Sequence, residues 1–476
     1  MPPEVVTESA QAEAEKATEA PPEPRLGGYN VGELNREYAL VLMGSKAVVM
    51  REPGGTVPVE DQQRFITVDA FRLWKGNTFT EVMGANLKVK AMSHAERWLG
   101  DRDRREYSGI VFYPNPDGAQ SPRGYLNLWR GFAFIPKEKK NGYAIFRDHL
   151  LMNVCDESEE LYRWVFGWFA HMVQRPRERV GTALVLKGQM GTGKTKIGEV
   201  MGSLFPAHYF AVDDPRYVTG QFNAHMASCL LLQAEEAVWA GDKAAEGRLK
   251  GLVTSTFQMI ESKGVDPIRL DNYVRLMMTS NEEWVVPAGK DERRFCVLDV
   301  NPRCAQNSDY FREMEEELAN GGREALLYDL MNFDLSGVNL RRIPRTKALL
   351  EQKLASLHSI DAWWYGRLDA GALTRGGRPW GGAVPMRVLH DDYLHEAEKV
   401  GWRRRDSPVA FGKRLRKLAP EVVREQGYDP EAGQAAAREW LLRFPPLEAC
   451  RAHWDATMGQ GDDWPCGKGP SDEGAS

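Results

Sequence analysis

Apolar residues along this chain recur in different rhythms, and each rhythm predicts a different kind of element. Between Glu159 and about Gln174, the residues Leu161, Val165, Trp168, Phe169 and Met172 fall at spacings of three and four, with Trp164 and Phe166 adding bulk. That spacing predicts a core-packed helix. Shorter apolar runs occur at Ala183-Leu-Val-Leu, Cys229-Leu-Leu-Leu, Tyr273–Met278 and Cys296-Val-Leu. Such runs, bounded by polar or glycine-rich stretches, predict buried strands. Nearer the start, Tyr38–Met43 and Lys46–Arg51 flank Gly44-Ser45 and predict two strands around a tight turn. Gly109–Tyr113 predicts another strand, and Tyr125–Trp129 lies in a turn-rich stretch. This early region has the look of a small α+β domain, and nothing in it has catalytic spacing.

The two ends lack this patterning. Met1 to about Gly28 is rich in Glu, Ala and Pro, and the stretch after Thr457 is rich in Gly, Asp and Ser. Segments this poor in large apolar residues do not bury enough surface to offset their ordering entropy. The expected organisation is a disordered acidic tail over 1–28, an α+β region over 29–150 and a strand-and-helix core over 151–305. A helical connector over 306–380, a small C-terminal domain over 381–456 and a disordered tail over 457–476 complete it.

Composition narrows the class. The chain has 476 residues, 42% of them hydrophobic, and a net charge of −5. That is ample for several cores, but total charge announces no nucleic-acid partner, so local charge has to be read instead. Six cysteines are scattered without a CxxC pair or zinc-ligand spacing. A disulfide framework is therefore not expected, and a reducing cytoplasm fits. No signal-peptide pattern and no apolar run long enough to span a bilayer occurs.

The strand at Ala183 leads directly into Gly188-Gln189-Met190-Gly191-Thr192-Gly193-Lys194-Thr195, and Ile197, Val200, Met201 and Leu204 then take helical spacing. Strand, glycine loop and helix are the setting of a GxxxxGK[ST] phosphate loop. The glycines let the backbone curl with its N–H groups turned inward, and the helix start adds its positive dipole end. Lys194 is expected on the β- and γ-phosphates of ATP, and Thr195 on Mg²⁺.

Such a loop needs an acid at the end of a second strand. Cys229-Leu-Leu-Leu-Gln-Ala ends on Glu235-Glu236. Glu235 is assigned to magnesium and Glu236 to the attacking water. The strand through Tyr273–Met278 runs on through Thr279-Ser280 to Asn281, the candidate for orienting that water. Asp291-Glu-Arg293-Arg294 follows, and an arginine here suits stabilisation of charge on the transferred phosphoryl group.

The order of these motifs resembles the superfamily-three helicases, a branch of the AAA+ ATPases. The chain looks closer still to the helicase domain of phage primase–polymerase–helicase proteins. The likeness is carried by LVLKGQMGTGKT, GQFNAHMASCLLLQAEEAVWAGDKAAEGRLKGLVT, IESKGVDP and LMMTSNEEWVVPAGKDERRFCVLDV. It extends upstream through LNREYALVLMGSKAVVMRE and GYLNLWRGFAF, so it covers roughly Leu34 to Val300. The resemblance implies a ring, hexameric in form, with ATP at subunit interfaces and Arg293 or Arg294 acting in trans. It also implies a pore hairpin, here Met259–Arg269, with Lys263 and Arg269 on the DNA backbone. Two departures stand out. Glu235-Glu236 replaces the Asp-Glu pair frequent in relatives. No paired-aspartate strand with a downstream histidine precedes the core, and Asp213-Asp214 reads as a loop inside it. Primer synthesis is therefore expected of a separate primase–polymerase.

The last region is locally basic. Arg403-Arg404-Arg405 precedes a stretch in which Phe411, Leu415 and Leu418 form one helical face and Lys413, Arg414, Arg416 and Lys417 the other. With a helix near Val388–Tyr393 before it and a strand near Glu439 after it, the order suits a winged-helix-like domain with its basic helix on DNA phosphates. The expected fold class is thus α/β: an AAA+ P-loop NTPase core, an N-terminal α+β region and a C-terminal winged-helix-like domain. The expected function is an ATP- and Mg²⁺-dependent DNA helicase of phage or plasmid replication. The alternative is an AAA+ remodelling or loader ATPase without unwinding activity. A packaging ATPase would need a nuclease with clustered acids, where this chain is basic.

Overall fold

A computed structural model describes residues 25–26, 28–54, 57–58, 62–83, 88–236, 243–262, 265–401, 405–431, 438–459, 461 and 464. Most of both expected tails lies outside these residues. The architecture is mixed α/β with several separate sheets. The chain forms two compact units: 1–131 with 222–228 and 257–271, and 132–221 with 229–256 and 272–476.

In the second unit, five strands form one parallel sheet: β1 (Ala183–Lys187), β2 (Tyr209–Val212), β3 (Leu231–Glu235), β4 (Arg275–Ser280) and β5 (Phe295–Asp299). The spatial order is β2-β3-β4-β1-β5. Residues of β1 and β4 are buried throughout, as a parallel sheet covered on both faces requires. Helix α1 (Glu159–Gln174) is capped by the Ser158 side chain and carries Glu159 and Glu160 in its first turn. Every residue from Trp164 to Val173 is buried, so this helix is wrapped on all sides. Helix α2 (Lys194–Ser203) follows the glycine loop, and α3 (Lys243–Thr254) follows β3. Two further helices, α4 (Ser308–Glu317) and α5 (Arg323–Asn332), come after β5, and α5 packs on α1.

The rest of this unit has its own apolar core. It contains α6 (Lys347–Ala355), α7 (Ser359–Ala370), β6 (Ala383–Pro385), α8 (Met386–Val400), α9 (Pro408–Leu418), β7 (Val423–Gly427), β8 (Glu439–Arg443) and α10 (Leu447–Met458). The strands pair antiparallel in the order β6-β8-β7. Phe411, Leu415 and Leu418 of α9 are buried with Trp363, Trp364, Tyr393 and Trp454. The rings of Trp363 and Phe411 meet edge-to-face at 5.1 Å.

The first unit holds a four-stranded sheet in which Tyr38–Met43 pairs antiparallel with Lys46–Arg51. Gly44 takes a φ of +59° in the turn between them, a conformation that favours glycine. Tyr38, Val49, Phe71 and Trp98 fill its core. The hairpin of Phe257–Ser262 and Val265–Asp271 belongs to this unit. The Ser45 hydroxyl donates to the Asp266 carboxylate.

Three expected boundaries move. The hairpin, assigned by sequence to the nucleotide-binding core, groups with the N-terminal strands because its second strand packs on the Gly44-Ser45 turn. Residues 132–150 join the second unit instead of the first: the Tyr143 hydroxyl donates to Asp329 at 2.6 Å, and Glu317 accepts from the amides of Ala144 and Ile145. Helix α7, placed by sequence in a connector, is part of the C-terminal core through Trp363 and Trp364. Five cysteines are free and buried; Cys466 lies outside the described residues. Among the described residues no helix is long and apolar enough to cross a membrane.

Candidate functional site

The loop between β1 and α2 is shaped by glycine. Gly188, Gly191 and Gly193 have φ of +143°, +79° and +84°, values that side-chain-bearing residues rarely adopt. Space forbids a side chain as well. A Cβ on Gly193 would lie 2.7 Å from the Phe311 ring and 2.8 Å from His149 Nε2. The Lys194 ammonium is folded into this loop. It donates to the carbonyls of Gly188 at 2.8 Å and Gln189 at 2.6 Å, and to Asn281 Oδ1 at 2.9 Å. Burial lowers its pKa, against the opposing pull of Glu236 and Asp299.

Two carboxylates stand at the exit of β3 and have separate partners. Glu235 Oε2 lies 3.4 Å from the Thr195 hydroxyl, and Glu235 Oε1 accepts from Gln233 Nε2 at 2.7 Å. Glu236 faces β4 instead. It accepts from Asn281 Nδ2 at 2.7 Å, from the Asn281 amide at 3.1 Å and from the Ser280 hydroxyl at 3.2 Å. Glu236 holds a φ of +50°, and its own N–H donates to the Thr279 carbonyl at 2.9 Å. A non-glycine residue in this region is strained, and the surrounding hydrogen bonds hold it there. With this backbone, Glu236 meets Asn281 while Glu235 meets Thr195 and Gln233.

A cavity of about 710 Å³ opens here, lined by Met190–Lys196, Glu235, Glu236 and Asn281, with Phe311 and Arg312 on its far side. That is the size of an ordinary small-ligand site. A larger cavity, about 830 Å³, lies beside Trp164 and Arg345. Its rim charges are partly satisfied already, since Lys187 pairs with Glu351 at 2.5 Å and Asp299 at 3.5 Å. The glycine loop and Lys194 line the smaller one. A magnesium ion fits the oxygen donors Thr195 and Glu235, because that ion takes few protein ligands and keeps water and phosphate oxygens. Among the described residues no group of three or more His, Cys, Asp or Glu is arranged to hold a metal by itself.

Lys194, Thr195, Glu235, Glu236 and Asn281 are thus brought together. The two candidate arginines are not. Arg294 precedes β5, and its carbonyl accepts from Ala183, the first residue of β1, at 2.7 Å. The loop leaves the other end of β1, roughly 17 Å away at about 3.3 Å per residue. Neither Arg293 nor Arg294 reaches its own chain's loop. Arg294 lies 3.7 Å from the buried Glu292, while Arg293 is exposed.

The candidate nucleic-acid contacts are scattered. Lys263, Arg403 and Arg404 lie outside the described residues. Arg269 is exposed on the hairpin, with its guanidinium 4.1 Å from the centre of the Phe257 ring. Arg405, Lys413, Arg416 and Lys417 are exposed. Arg414 departs from the expected open basic face. It faces α7, where it forms a two-pronged pair with Asp361 at 2.6 and 2.5 Å.

Sequence reasoning missed several site residues. Gln233 is one; the signal was a polar residue two positions before Glu235 inside an apolar strand. Ser280 and Phe311 are others. His149 sits in a π-helical turn, His149–Val154, under Gly193, and nothing local in the sequence points to it.

A family of unknown function, DUF5906, matches residues 186–294. The chain is similar to a DNA primase-polymerase of Nitratiruptor phage NrS-1, with 22% identity over 294 residues. The match covers 58% of this chain and 39% of that relative, so the chain spans well under half of that protein's length. Among solved structures, the apo C-terminal region of NrS-1 matches with a TM-score of 0.60 at 14% identity, over 87% of this chain and 98% of the other. A second apo form of that region gives 0.59 at 15% identity. At such identities the likeness shows a shared fold.

Proposed function

We propose that this chain is an ATP-dependent DNA helicase of phage or plasmid replication, with an AAA+ P-loop core and a winged-helix-like C-terminal module, working as a ring. The observation that carries the reading is the convergence of Lys194, Thr195, Glu235, Glu236 and Asn281 at one edge of a parallel sheet. The sheet order, with β4 standing between the loop's strand β1 and the acids' strand β3, favours an additional-strand P-loop ATPase. The relative's name supplies the replication setting, and the solved relatives are its C-terminal region. Polymerisation, which that name carries, is not part of this reading.

In this reading the loop amides and Lys194 hold the β- and γ-phosphates. Bound magnesium, held by Thr195 and Glu235, would supply charge neutralisation on the phosphate oxygens. Glu236 accepts the proton of the attacking water, and Asn281 fixes both the Glu236 carboxylate and the Lys194 ammonium. Arg293 or Arg294 acts on the nucleotide of a neighbouring copy, in keeping with their distance from their own loop. Lys263 and Arg269 grip a single strand, and Arg405, Lys413, Arg416 and Lys417 hold duplex phosphates.

The test is strand separation of a forked DNA by the full chain with ATP and Mg²⁺, beside Lys194→Ala. Unwinding by the wild type alone is expected. ATP hydrolysis indifferent to any DNA would favour the remodelling ATPase and sink the helicase reading.

A further inference from the structure

Arg275 opens β4, at the end of the strand away from the phosphate loop, and its environment is short of negative charge. The residue is 3% exposed. Its Nη1 donates to the Tyr273 carbonyl at 3.2 Å, and its Nη2 donates to the Glu178 carbonyl and lies 3.5 Å from His171 Nδ1. Its Nε is buried and has no hydrogen-bond partner among the described residues. Among the described residues no carboxylate lies within ion-pair distance of it. Burying a cation without a counter-charge is costly, and here burial, reinforced by Arg179, pushes the guanidinium pKa down to about 9.

Beside it opens a cavity of about 450 Å³, lined by His171, Arg175, Glu178, Arg179 and Arg341 and by the turn 335–340. Arg179 is committed to the carbonyls that end α3, through Leu252 and Val253, and to that of Asn272. Arg175 and Arg341 are exposed, and the Arg341 guanidinium has no ion pair or hydrogen bond among the described residues. Among the described residues Glu178 is the one acid on the rim, 63% exposed, at 3.7 Å from both Arg175 and His171. Arg175, Arg179 and Arg341 thus line this cavity against one largely solvated carboxylate, and Arg275 stands behind His171. With Arg275 donating toward Nδ1, His171 carries its proton on Nε2, directed at the cavity rim.

We propose that this cavity binds a phosphoryl group, from inorganic phosphate or from a nucleotide tail, held by Arg175 and Arg341 with the positive charge of Arg275 behind His171. Guanidinium forks match phosphate oxygens in pairs, and the cavity has room for a phosphate or pyrophosphate. The site is separate from residues 188–195 and does not depend on their reading.

The experiment uses the full chain carrying Lys194→Ala, which removes the cation of the phosphate loop. Equilibrium dialysis with radiolabelled phosphate and pyrophosphate should find one saturable site. Adding Arg341→Ala or Arg175→Ala should weaken it at least tenfold, with Arg341→Lys weakening it less. Both positions are exposed, so the thermal midpoint should not move. Competition by ATP would identify a nucleotide tail as the source, and phosphate binding indifferent to ATP would identify the free anion. Saturating anion should also raise the pKa of His171, followed by NMR, which a purely structural arginine cluster would not do. Absence of a saturable site in Lys194→Ala, or a site untouched by both arginine substitutions, would overturn the proposal.

Discussion

Asn281 stands between Lys194 and Glu236, accepting from the ammonium at 2.9 Å through Oδ1 and donating to the carboxylate at 2.7 Å through Nδ2. One amide therefore orients both the cation proposed to face phosphate and the acid proposed to face water. Asn281→Ala removes both contacts at once. ATP turnover should fall about 10- to 100-fold with a smaller change in KM, because the effect falls on the positions of two other groups. Steady-state ATPase kinetics on the folded variant checks this, and an unchanged kcat would remove Asn281 from the account.

Glu236→Gln keeps the hydrogen-bonding shape and loses the charge. Hydrolysis should drop by roughly 10² to 10⁴, the usual worth of a positioned general base, while nucleotide affinity stays within a few-fold. Glu235→Gln should behave differently and weaken the magnesium dependence, since Glu235 pairs with Thr195 and Gln233. Titrations with Mg²⁺ and a fluorescent ATP analogue separate the two. Equal behaviour of both variants would contradict the division of labour.

Much of this site was legible in sequence because its signals are local. The glycine loop, the strand before it and the helix after it are contiguous, and the apolar period of α1 falls on the helix Glu159–Gln174. The acids follow an apolar run. What was not legible depends on long-range packing. Arg414 has the spacing of an exposed residue, yet Asp361 of α7 claims it. The hairpin 257–271 lies in sequence between β3 and β4, yet its strand contacts a turn at Gly44. His149 approaches Gly193 from a helix that precedes β1. No window of sequence contains any of these pairs.

Acid should destabilise the fold in a defined window. His149 and His171 are both held at about 4, below the ordinary 6.5. Burial is the main cause for each, joined at His171 by Arg275, Arg175 and Arg341. Above pH 6.5 neither folded nor unfolded chain protonates them, and their contribution is constant. Between pH 6.5 and 4 the unfolded chain takes up protons that the folded chain refuses, so stability falls as pH falls. The loss should reach up to about 3 kcal/mol per histidine. Urea midpoints across this range check it, and His171→Gln should flatten part of the slope.

The basic helix α9 should divide by side-chain environment. Lys413 and Lys417 are exposed. Replacing both with Ala should weaken duplex binding without sequence preference and reduce the slope of log affinity against log salt by about 2. Arg414→Ala should instead lower stability, because it strips the partner from Asp361, which is 13% exposed. Salt-dependent fluorescence anisotropy and thermal melts distinguish the two, and an unchanged salt slope in the double variant would remove α9 from the DNA contact.

The most direct test of the central claim is ATP turnover by the full chain with Mg²⁺, with and without single-stranded DNA, beside Lys194→Ala. The account predicts hydrolysis by the wild type, acceleration by DNA, and loss of at least 10² in the variant. Turnover that survives Lys194→Ala, or no turnover by the wild type in any condition, would contradict the assignment of Lys194, Glu235, Glu236 and Asn281 to one ATP site.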